Sequence, residues 1–376
     1  MTSSRTFDAL LALTRLGIGH DAAALPDSFD WPALESLAAE QGLSAVVLDG
    51  IEALRTGFPG VSLPEKNVLV PWAGEVVQDY ECRYEAYRRA IGSLAGFYGE
   101  HGFMMMVLKG FACSLDWPRP DHRPCGDIDI WQFGRQAEAD EALRRAQGPE
   151  FEIGTAHHHH TEFSWQDFLV ENHYDFLNVH YGHRNAALEE VLKGLAEDDS
   201  WFVDVDGQRV YLPSPNLHAL FLLRHVQLHF ASTGMNLRQL LDWGFFVEKN
   251  RDRVDWPWFV GVCNEFYLTR FLGCLNALCI EALGFDEVLF SGMPCLGPEK
   301  DRVLNDMLGK DKGRVLADML EKEFVGDAPS GFFPRVWFKY RRWRAQSWKR
   351  KLCYGDSDLV SFFVLVWGHL VKPGMI

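Results

Sequence analysis

Two acidic residues, Asp127 and Asp129, stand one residue apart in the segment GDIDIW at 126–131. Acidic and apolar residues alternate in this segment, which predicts a β-strand with one polar and one buried face. Side chains at positions i and i+2 of a strand share a face, so the two carboxylates should lie side by side. Such a pair repels itself unless a cation lies between, and oxygen ligands suit Mg²⁺ or Mn²⁺. The pair predicts a divalent metal site, although two acids on an exposed edge strand would give the same pattern.

Lysine, arginine and glycine residues accompany the acid pair. Lys109-Gly110 follows a nearly all-apolar run at 103–108 that predicts a buried strand. A lysine beside a glycine at a strand end can meet phosphate with its ammonium group and with backbone N–H groups. Arg123 can hold a phosphate through two hydrogen bonds, and Gly126 would let a phosphate approach the backbone. Each has an ordinary explanation as a strand end or surface loop, but together they predict a phosphate site.

The spacing of these motifs resembles a known family. The chain reads Leu108-Lys109-Gly110 and then RPCGDID at 123–129. This resembles the uncharacterised bacterial nucleotidyltransferase family of the polymerase-β-like superfamily, whose members tend to read LKG and then RPxGDID. The resemblance extends over 31–284 and implies an α+β fold with a small mixed-sheet core that binds Mg²⁺ and a nucleoside triphosphate (NTP). It implies that the following residues bind the nucleotide: Lys109, Gly110, Arg123 and Gly126. It implies that Asp127 and Asp129 hold the metal and carry catalysis.

A later strand of this family usually reads E-L-H, and Asn178-Val179-His180 resembles it. The resemblance then implies that Asn178 contacts the nucleotide, and that His180 acts in catalysis as a third metal ligand or a general base. Superfamily enzymes usually have a third carboxylate on this strand. They also usually have Gly-Ser where this chain has Lys109-Gly110.

These features favour an enzyme that transfers a nucleotidyl group from an NTP to an unknown hydroxyl or phosphate acceptor. The competing hypothesis is a non-catalytic nucleotide-binding or scaffold protein that retains the fold. The intact acid pair favours the enzyme, whereas the two departures from the superfamily pattern favour the scaffold. The chain has no G-x-S-x-G, P-loop or G-x-G-x-x-G motif, which argues against an α/β-hydrolase, a P-loop enzyme and a Rossmann enzyme.

Helical segments are predicted on both sides of the core. We divide the chain into an N-terminal helical region (1–98), an α/β core (99–212), a C-terminal helical region (213–330) and a basic-aromatic tail (331–376). Further strands are expected at 163–165 and 174–181, a hairpin at 202–212, and helices at 135–147, 216–230, 237–250 and 256–283.

The composition of the chain limits its expected cellular location and its expected partners. The chain has 376 residues, 47% of them hydrophobic, and a formal net charge of −15. That charge argues against a protein that coats nucleic acid. The first residues do not form a signal peptide, and no uncharged apolar run is long enough to span a bilayer. The 8 cysteines form no CxxC pair, so we expect reduced thiols in a cytoplasmic protein.

The tail contains a basic and aromatic segment at 335–352, RVWFKYRRWRAQSWKRKL, which has no acid. Such a segment can bind an anionic membrane surface or an acidic partner. It can stack on single-stranded nucleic acid, although the charge of the whole chain disfavours that partner. It can also dock as a helix on the protein's own acidic surface.

Histidines form two further groups. The run at 157–160 lies near Glu162 and His173, and imidazole suits Zn²⁺. We favour a solvated loop, because alternating strand residues do not all converge on one ion. His225 and His229 lie one helical turn apart, where they could flank a ligand or form hydrogen bonds in the core.

Arg238 and Asp242 are four residues apart in a predicted helix, which predicts an ion pair on its surface. Alternatively, both residues help to close the nucleotide cleft.

Overall fold

The structure, a computed structural model, describes residues 4–21, 25–57, 63–179, 183–232, 234–310 and 332–355. They form an α+β fold in which helices enclose a six-stranded sheet, as predicted. The strands are β1 (Met106–Val107), β2 (Ile128–Trp131), β3 (His160–Trp165), β4 (Phe168–His173), β5 (Phe202–Val205) and β6 (Gln208–Tyr211). Their order is β3-β4-β2-β1-β6-β5. The sheet is mixed, since β2 is parallel to β4 and antiparallel to β1.

Helices precede, interrupt and follow these strands. In chain order they are α1 (Ser4–Gly17), α2 (Trp31–Glu40), α3 (Ser44–Gly57), α4 (Lys66–Glu75), α5 (Arg83–Glu100), α6 (Phe111–Ser114), α7 (Gln136–Gln147), α8 (His183–Leu195), α9 (Pro215–Ser232), α10 (Leu237–Asn250), α11 (Trp256–Glu265), α12 (Thr269–Leu283), α13 (Lys300–Met307) and α14 (Phe332–Tyr354). A π-helical segment, Val76–Cys82, joins α4 to α5.

The two faces of the sheet bury different sets of side chains. Ile128 and Ile130 of β2 belong to a hydrophobic cluster with residues of α5 and α7. Trp131 belongs instead to a larger cluster with residues of α9 and α10. Because side chains alternate along a strand, Asp127 and Asp129 lie on the same side as Trp131. The helices that follow the sheet therefore face the acid pair.

The helices before and after the sheet share one core. Leu10 and Leu13 of α1 belong to the same hydrophobic cluster as Leu283 of α12. Nε of Arg15 donates a hydrogen bond to the carbonyl oxygen of Ala282 over 2.9 Å. The segments 1–98 and 213–330 thus contribute to a common interior in the described residues.

Helices α1 and α3 approach closely at a glycine. A Cβ atom at Gly50 would lie 2.0 Å from the carbonyl oxygen of Leu13. We expect Gly50→Ala to lower the free energy of unfolding by about 1–3 kcal/mol, as overpacking of a tight core does. In α4, a Cβ at Gly74 meets no atom within 4 Å. Gly74→Ala is the matched control and should stabilise the protein by up to about 1 kcal/mol. Urea unfolding measures both changes, and equal stabilities would contradict this packing.

Several predicted elements are confirmed and one is wrong. The helix at 237–250 is α10, and the hairpin at 202–212 is formed by β5 and β6. The strand expected at 174–181 is wrong, because residues 174–178 form no strand and the chain instead pairs at 168–173. The helical region expected at 256–283 is confirmed as two helices, α11 and α12, separated by a turn in which Tyr267 has a φ of 62°.

The basic segment of the tail lies in α14, which contacts α9 and α12. Nζ of Lys349 lies 2.7 Å from Oδ2 of Asp306, and both side chains are buried. Trp348 packs edge-on against Phe230, with ring centroids 5.5 Å apart. This part of the helix docks on the protein itself. A membrane or acidic partner for 335–352 stays a prediction, and 356–376 lies outside the described residues.

Within the described ranges, no helix combines the length and the apolar character needed to cross a bilayer.

Candidate active site

The acid pair lies where the central strands of the sheet meet. The backbone N–H of Leu108 donates to the carbonyl oxygen of Asp129 over 3.0 Å, which fixes the end of β1 against β2. On the other side of β2, Asp129 stands opposite Glu171 of the parallel strand β4. Asp127 directly precedes β2, and both aspartates line the same cleft. The predicted strand and its polar face are therefore present.

Asp129 is buried, with 1% of its side chain exposed, and two basic groups contact it. Nζ of Lys109 lies 2.7 Å from its Oδ1, and Nε2 of His173 lies 3.1 Å from the same oxygen. Burial alone would raise the pKa of Asp129, but Lys109 and His173 outweigh it and hold that pKa well below its usual range. Asp129 is thus a buried, ionised carboxylate.

Glu171 supplies a third carboxylate that the sequence analysis missed. Its Oε2 lies 3.5 Å from Nε2 of His173. One ligand atom each from Asp129, Glu171 and His173 lie within 4.8 Å of one another. Burial would raise the pKa of Glu171, but the hydrogen bond from His173 and the charges of Lys109 and His160 together lower it, so this carboxylate is ionised too. The signal was present in the sequence, because Glu171-Asn172-His173 also fits the E-x-H pattern.

Asn178, one of the two residues chosen from the E-L-H match, lies away from the cleft. The backbone carbonyl of Asn178 accepts a hydrogen bond from Nδ2 of Asn185 over 3.1 Å, and Asn178 does not line the cleft. His180 lies outside the described residues. Strand β4 presents Glu171 and His173 beside the acid pair, where Asn178 does not lie.

The three carboxylates fit a hard divalent cation. The pKa of Asp127 is raised by burial and by the neighbouring negative charge of Asp129. A dication between such groups relieves their repulsion, and oxygen donors are the ligands that Mg²⁺ prefers. Lys109 and His173 already neutralise Asp129, so a cation that binds there must displace at least one of these contacts. The donors therefore suit Mg²⁺ or Mn²⁺, with competition from Lys109.

Because Gly110 has no side chain, its backbone can lie close to Tyr87 of α5. It has a φ of 58°, and a Cβ atom there would lie 2.5 Å from the hydroxyl oxygen of Tyr87. That hydroxyl donates to the backbone carbonyl of Asp127 over 2.8 Å, which ties α5 to the acid pair. Gly110 lines the cleft, as does Gly126, so both predicted glycines border the acids. The helix that follows Gly110 is only the four-residue α6.

Arg123 forms a buried ion pair with Asp242 of α10. Its Nε lies 2.7 Å from Oδ1 and its Nη2 lies 3.0 Å from Oδ2, and Nε1 of Trp117 also donates to Oδ1 over 2.9 Å. Burial opposes the charge of Arg123, but Asp242 keeps its pKa above the ordinary value. Asp242 therefore pairs with Arg123 across the fold, rather than with Arg238 along the helix.

A cleft of about 430 Å³ separates the acid pair from the helices that follow the sheet. Lys109 and Arg123 line it on the side of the acids, and Arg238 lines it from α10. Nε of Arg238 is buried and has no hydrogen-bond partner among the described residues. Burial and the nearby charge of Arg123 lower the pKa of Arg238, as expected for a cation with little acidic compensation. An anion in this cleft would satisfy it.

His225 and His229 also line the cleft, so they flank any ligand bound there. Their ring centroids are 4.4 Å apart. Burial and the charge of Lys109 lower the pKa of both, which favours neutral imidazoles.

Gln41, at the end of α2, ties the outer wall of the cleft together. Its side chain donates to the carbonyl oxygen of Met307 over 3.1 Å and accepts from the backbone N–H of Leu237 over 3.0 Å. Its own carbonyl oxygen accepts from the backbone N–H of Arg238 over 3.2 Å. Three distant segments therefore meet at one residue of the cleft.

Comparisons with known proteins identify a family for this chain. No curated protein matches the chain. One solved structure that it resembles is an antigenic nucleotidyltransferase-like protein from Paracoccidioides brasiliensis, at 15% identity and a TM-score of 0.31, over 43% of this chain and 75% of that one. A similarity at that level carries no argument by itself. The family model described as an uncharacterised nucleotidyltransferase matches residues 27–284, which is more than half of the chain. The chain belongs to this uncharacterised nucleotidyltransferase family.

Proposed function

We propose that this protein is a Mg²⁺- or Mn²⁺-dependent nucleotidyltransferase that transfers a nucleotidyl group from an NTP to a hydroxyl or phosphate acceptor. One observation carries the proposal. Asp129 and Glu171 stand opposite each other on the adjacent strands β2 and β4, Asp127 directly precedes β2, and both aspartates line a cleft of about 430 Å³ that also has cationic side chains. Carboxylates suit the metal, and cations suit the phosphates of the nucleotide.

Each group has a distinct task in this proposal. Asp127, Asp129 and Glu171 would hold the metal, which supplies positive charge for the phosphates and makes the attacking hydroxyl more acidic. Lys109 would bind phosphate once it leaves Asp129. Arg238 would bind phosphate from the opposite wall.

Arg123 acts mainly by fixing Asp242 in this proposal, because its guanidinium already makes two hydrogen bonds to that carboxylate. A direct contact from Arg123 to phosphate stays a prediction. Gly110 and Gly126 keep the backbone accessible beside the acids.

A second candidate function is a non-catalytic nucleotide-binding scaffold. The observation that favours it is the ammonium group of Lys109, which lies 2.7 Å from Asp129, where a metal would bind. If Lys109 replaces the metal permanently, nucleotide binding does not depend on Mg²⁺. The dependence of binding on the divalent cation therefore separates the two candidates.

Calorimetric titration with each NTP, in Mg²⁺ and in chelator, tests the proposal. We expect Mg²⁺-dependent binding that Asp127→Asn and Glu171→Gln each weaken at least about tenfold, or ~1.4 kcal/mol. Arg238→Gln should weaken binding through loss of a phosphate contact. The matched control is Asp167→Asn, an exposed acid in the turn between β3 and β4, which should bind as the unmodified protein does.

Three outcomes decide between the candidates. Binding that needs Mg²⁺ and the carboxylates supports the transferase, and incorporation of label from an α-phosphate-labelled NTP would then identify the acceptor. Equal binding in Mg²⁺ and in chelator supports the scaffold. If no NTP binds to the folded protein, both candidates fail.

A further inference from the structure

Three histidines converge at the edge of the sheet, beside the carboxylates. His159 directly precedes β3, His160 begins it, and His173 ends β4. His160 and His173 are direct partners across the two strands. One ring nitrogen from each of the three lies within 4.8 Å of the others. The expectation of a solvated loop at 157–160 is wrong for His160, whose side chain is only 4% exposed, and its partner His173 is 3% exposed.

Two of these rings have a buried nitrogen with nothing to bond. Among the described residues, Nδ1 of His159 and Nδ1 of His160 have no hydrogen-bond partner, although both atoms are shielded from water. A buried polar atom without a partner is costly, and native proteins rarely leave one unless a ligand or water satisfies it. These two atoms point to a ligand that accepts nitrogen lone pairs.

Hydrogen bonds on the far side of the rings select the nitrogens that would bind. Nε2 of His160 lies 3.1 Å from Oε1 of Glu162, and Nδ1 of His173 lies 3.3 Å from the carbonyl oxygen of Asp175. With the proton of His160 on Nε2, its Nδ1 presents a lone pair. Nε2 of His173 faces the carboxylates of Asp129 and Glu171 and holds a proton that a bound metal ion would displace. This is how outer hydrogen bonds orient histidine ligands in metal sites.

Glu171 offers a further donor beside His160 and His173. Its Oε2 lies 3.7 Å from Nδ1 of His160 and 3.5 Å from Nε2 of His173. These separations are long for hydrogen bonds. They are close to the roughly 3.3–3.4 Å that separates the ligands of a tetrahedral ion with bonds of about 2.0–2.1 Å.

The protonation states of His159 and His160 also suit metal binding. Burial lowers the pKa of His159 to about 4, with His173 adding to the effect, and burial also lowers the pKa of His160. Both rings are therefore neutral near pH 7, as ligands must be. His173 differs, because its hydrogen bonds to Asp129 and Glu171 outweigh burial and raise its pKa, so metal binding must release a proton from this ring.

We propose that His159, His160 and His173, with the carboxylate of Glu171, bind one divalent transition-metal ion, with Zn²⁺ as the best match. Imidazole suits Zn²⁺, whereas Mg²⁺ prefers oxygen donors and octahedral geometry. The site shares Glu171 and His173 with the candidate active site and differs from it in its imidazole donors. It requires no nucleotide, so its test is independent of the proposed function.

The test uses the full chain without a polyhistidine tag, stripped of metal by a chelator and then titrated with Zn²⁺ against a chromophoric zinc chelator. We expect one Zn²⁺ per chain, and we expect excess Mg²⁺ to leave it in place. His159→Ala and His160→Ala should weaken binding at least about 100-fold, more than the 10–100-fold cost of losing an outer hydrogen-bond partner. Bound Co²⁺ should give the visible absorption of a tetrahedral site.

The matched control is His158→Ala, in the same run but in neither of the histidine groups of the described residues. It should bind Zn²⁺ as tightly as the unmodified protein. A folding defect is checked by thermal unfolding in chelator, and Zn²⁺ should raise the melting temperature of the unmodified protein but not of His160→Gln. If the unmodified protein binds no stoichiometric Zn²⁺, or if His158→Ala weakens binding as much as His160→Ala, the proposal is overturned.

Discussion

Replacing Asp242 with alanine is expected to lower the free energy of unfolding by about 3–5 kcal/mol, the usual cost of removing one partner from a buried ion pair. The variant loses stability because the charge of Arg123 remains buried. Arg123 would keep a buried guanidinium without its carboxylate, close enough to Arg238 to lower the pKa of that residue already. Nε1 of Trp117 would also lose its acceptor. Guanidinium chloride unfolding measures the loss.

The control for this experiment removes both charges together. Arg123→Met combined with Asp242→Leu leaves no unpaired charge at either position, so the double variant should lose much less stability than Asp242→Ala. A double variant as unstable as the sum of the single variants would mean that the pair is not coupled. Titration of the folded double variant with an NTP then asks whether Arg123 also contacts phosphate.

The second large effect is expected at Lys109. In chelator, Lys109→Met should lower the free energy of unfolding by about 3–5 kcal/mol, because it removes the basic group closest to the buried carboxylate of Asp129. Added Mg²⁺ should restore part of this loss, since a cation that binds only the folded state stabilises it. The measurement compares thermal unfolding of the variant in Mg²⁺ and in chelator.

The unmodified protein should respond less to Mg²⁺ in the same assay, because Lys109 competes for Asp129. A second variant, Lys109→Met with Asp129→Asn, removes the carboxylate as well, so Mg²⁺ should no longer rescue it. If Mg²⁺ fails to stabilise Lys109→Met, then the acid pair does not bind this cation, and the ammonium contact is a permanent structural ion pair.

The acid pair and its strand could be predicted from sequence because their signal is local. Alternation of acid and apolar residues around Asp127 and Asp129 fixes which face each side chain takes. The helix at 237–250 was predicted at its observed bounds for the same reason, since apolar residues recur along it with helical spacing. The position of Lys109 just after a buried strand was predicted from the apolar run at 103–108.

Glu171 could not be identified in this way. The segments 168–173 and 174–181 both contain apolar and aromatic residues in short runs, so their local patterns support a strand about equally. Pairing with β2 decides between them, and that pairing is a contact between residues far apart in sequence. The partner of Asp242 could not be predicted from local sequence either, because a tertiary contact with Arg123 replaces the expected contact with Arg238 in the same helix.

The position of Gln41 has a consequence for how the protein is made. Its side chain joins Leu237 and Met307 at the outer wall of the cleft. A ribosome that adds about 5–20 residues per second reaches Met307 roughly 10–35 s after Asp129. The acid pair is thus synthesised early and enclosed late. During that interval the nascent chain exposes the apolar side of the sheet to water and to chaperones.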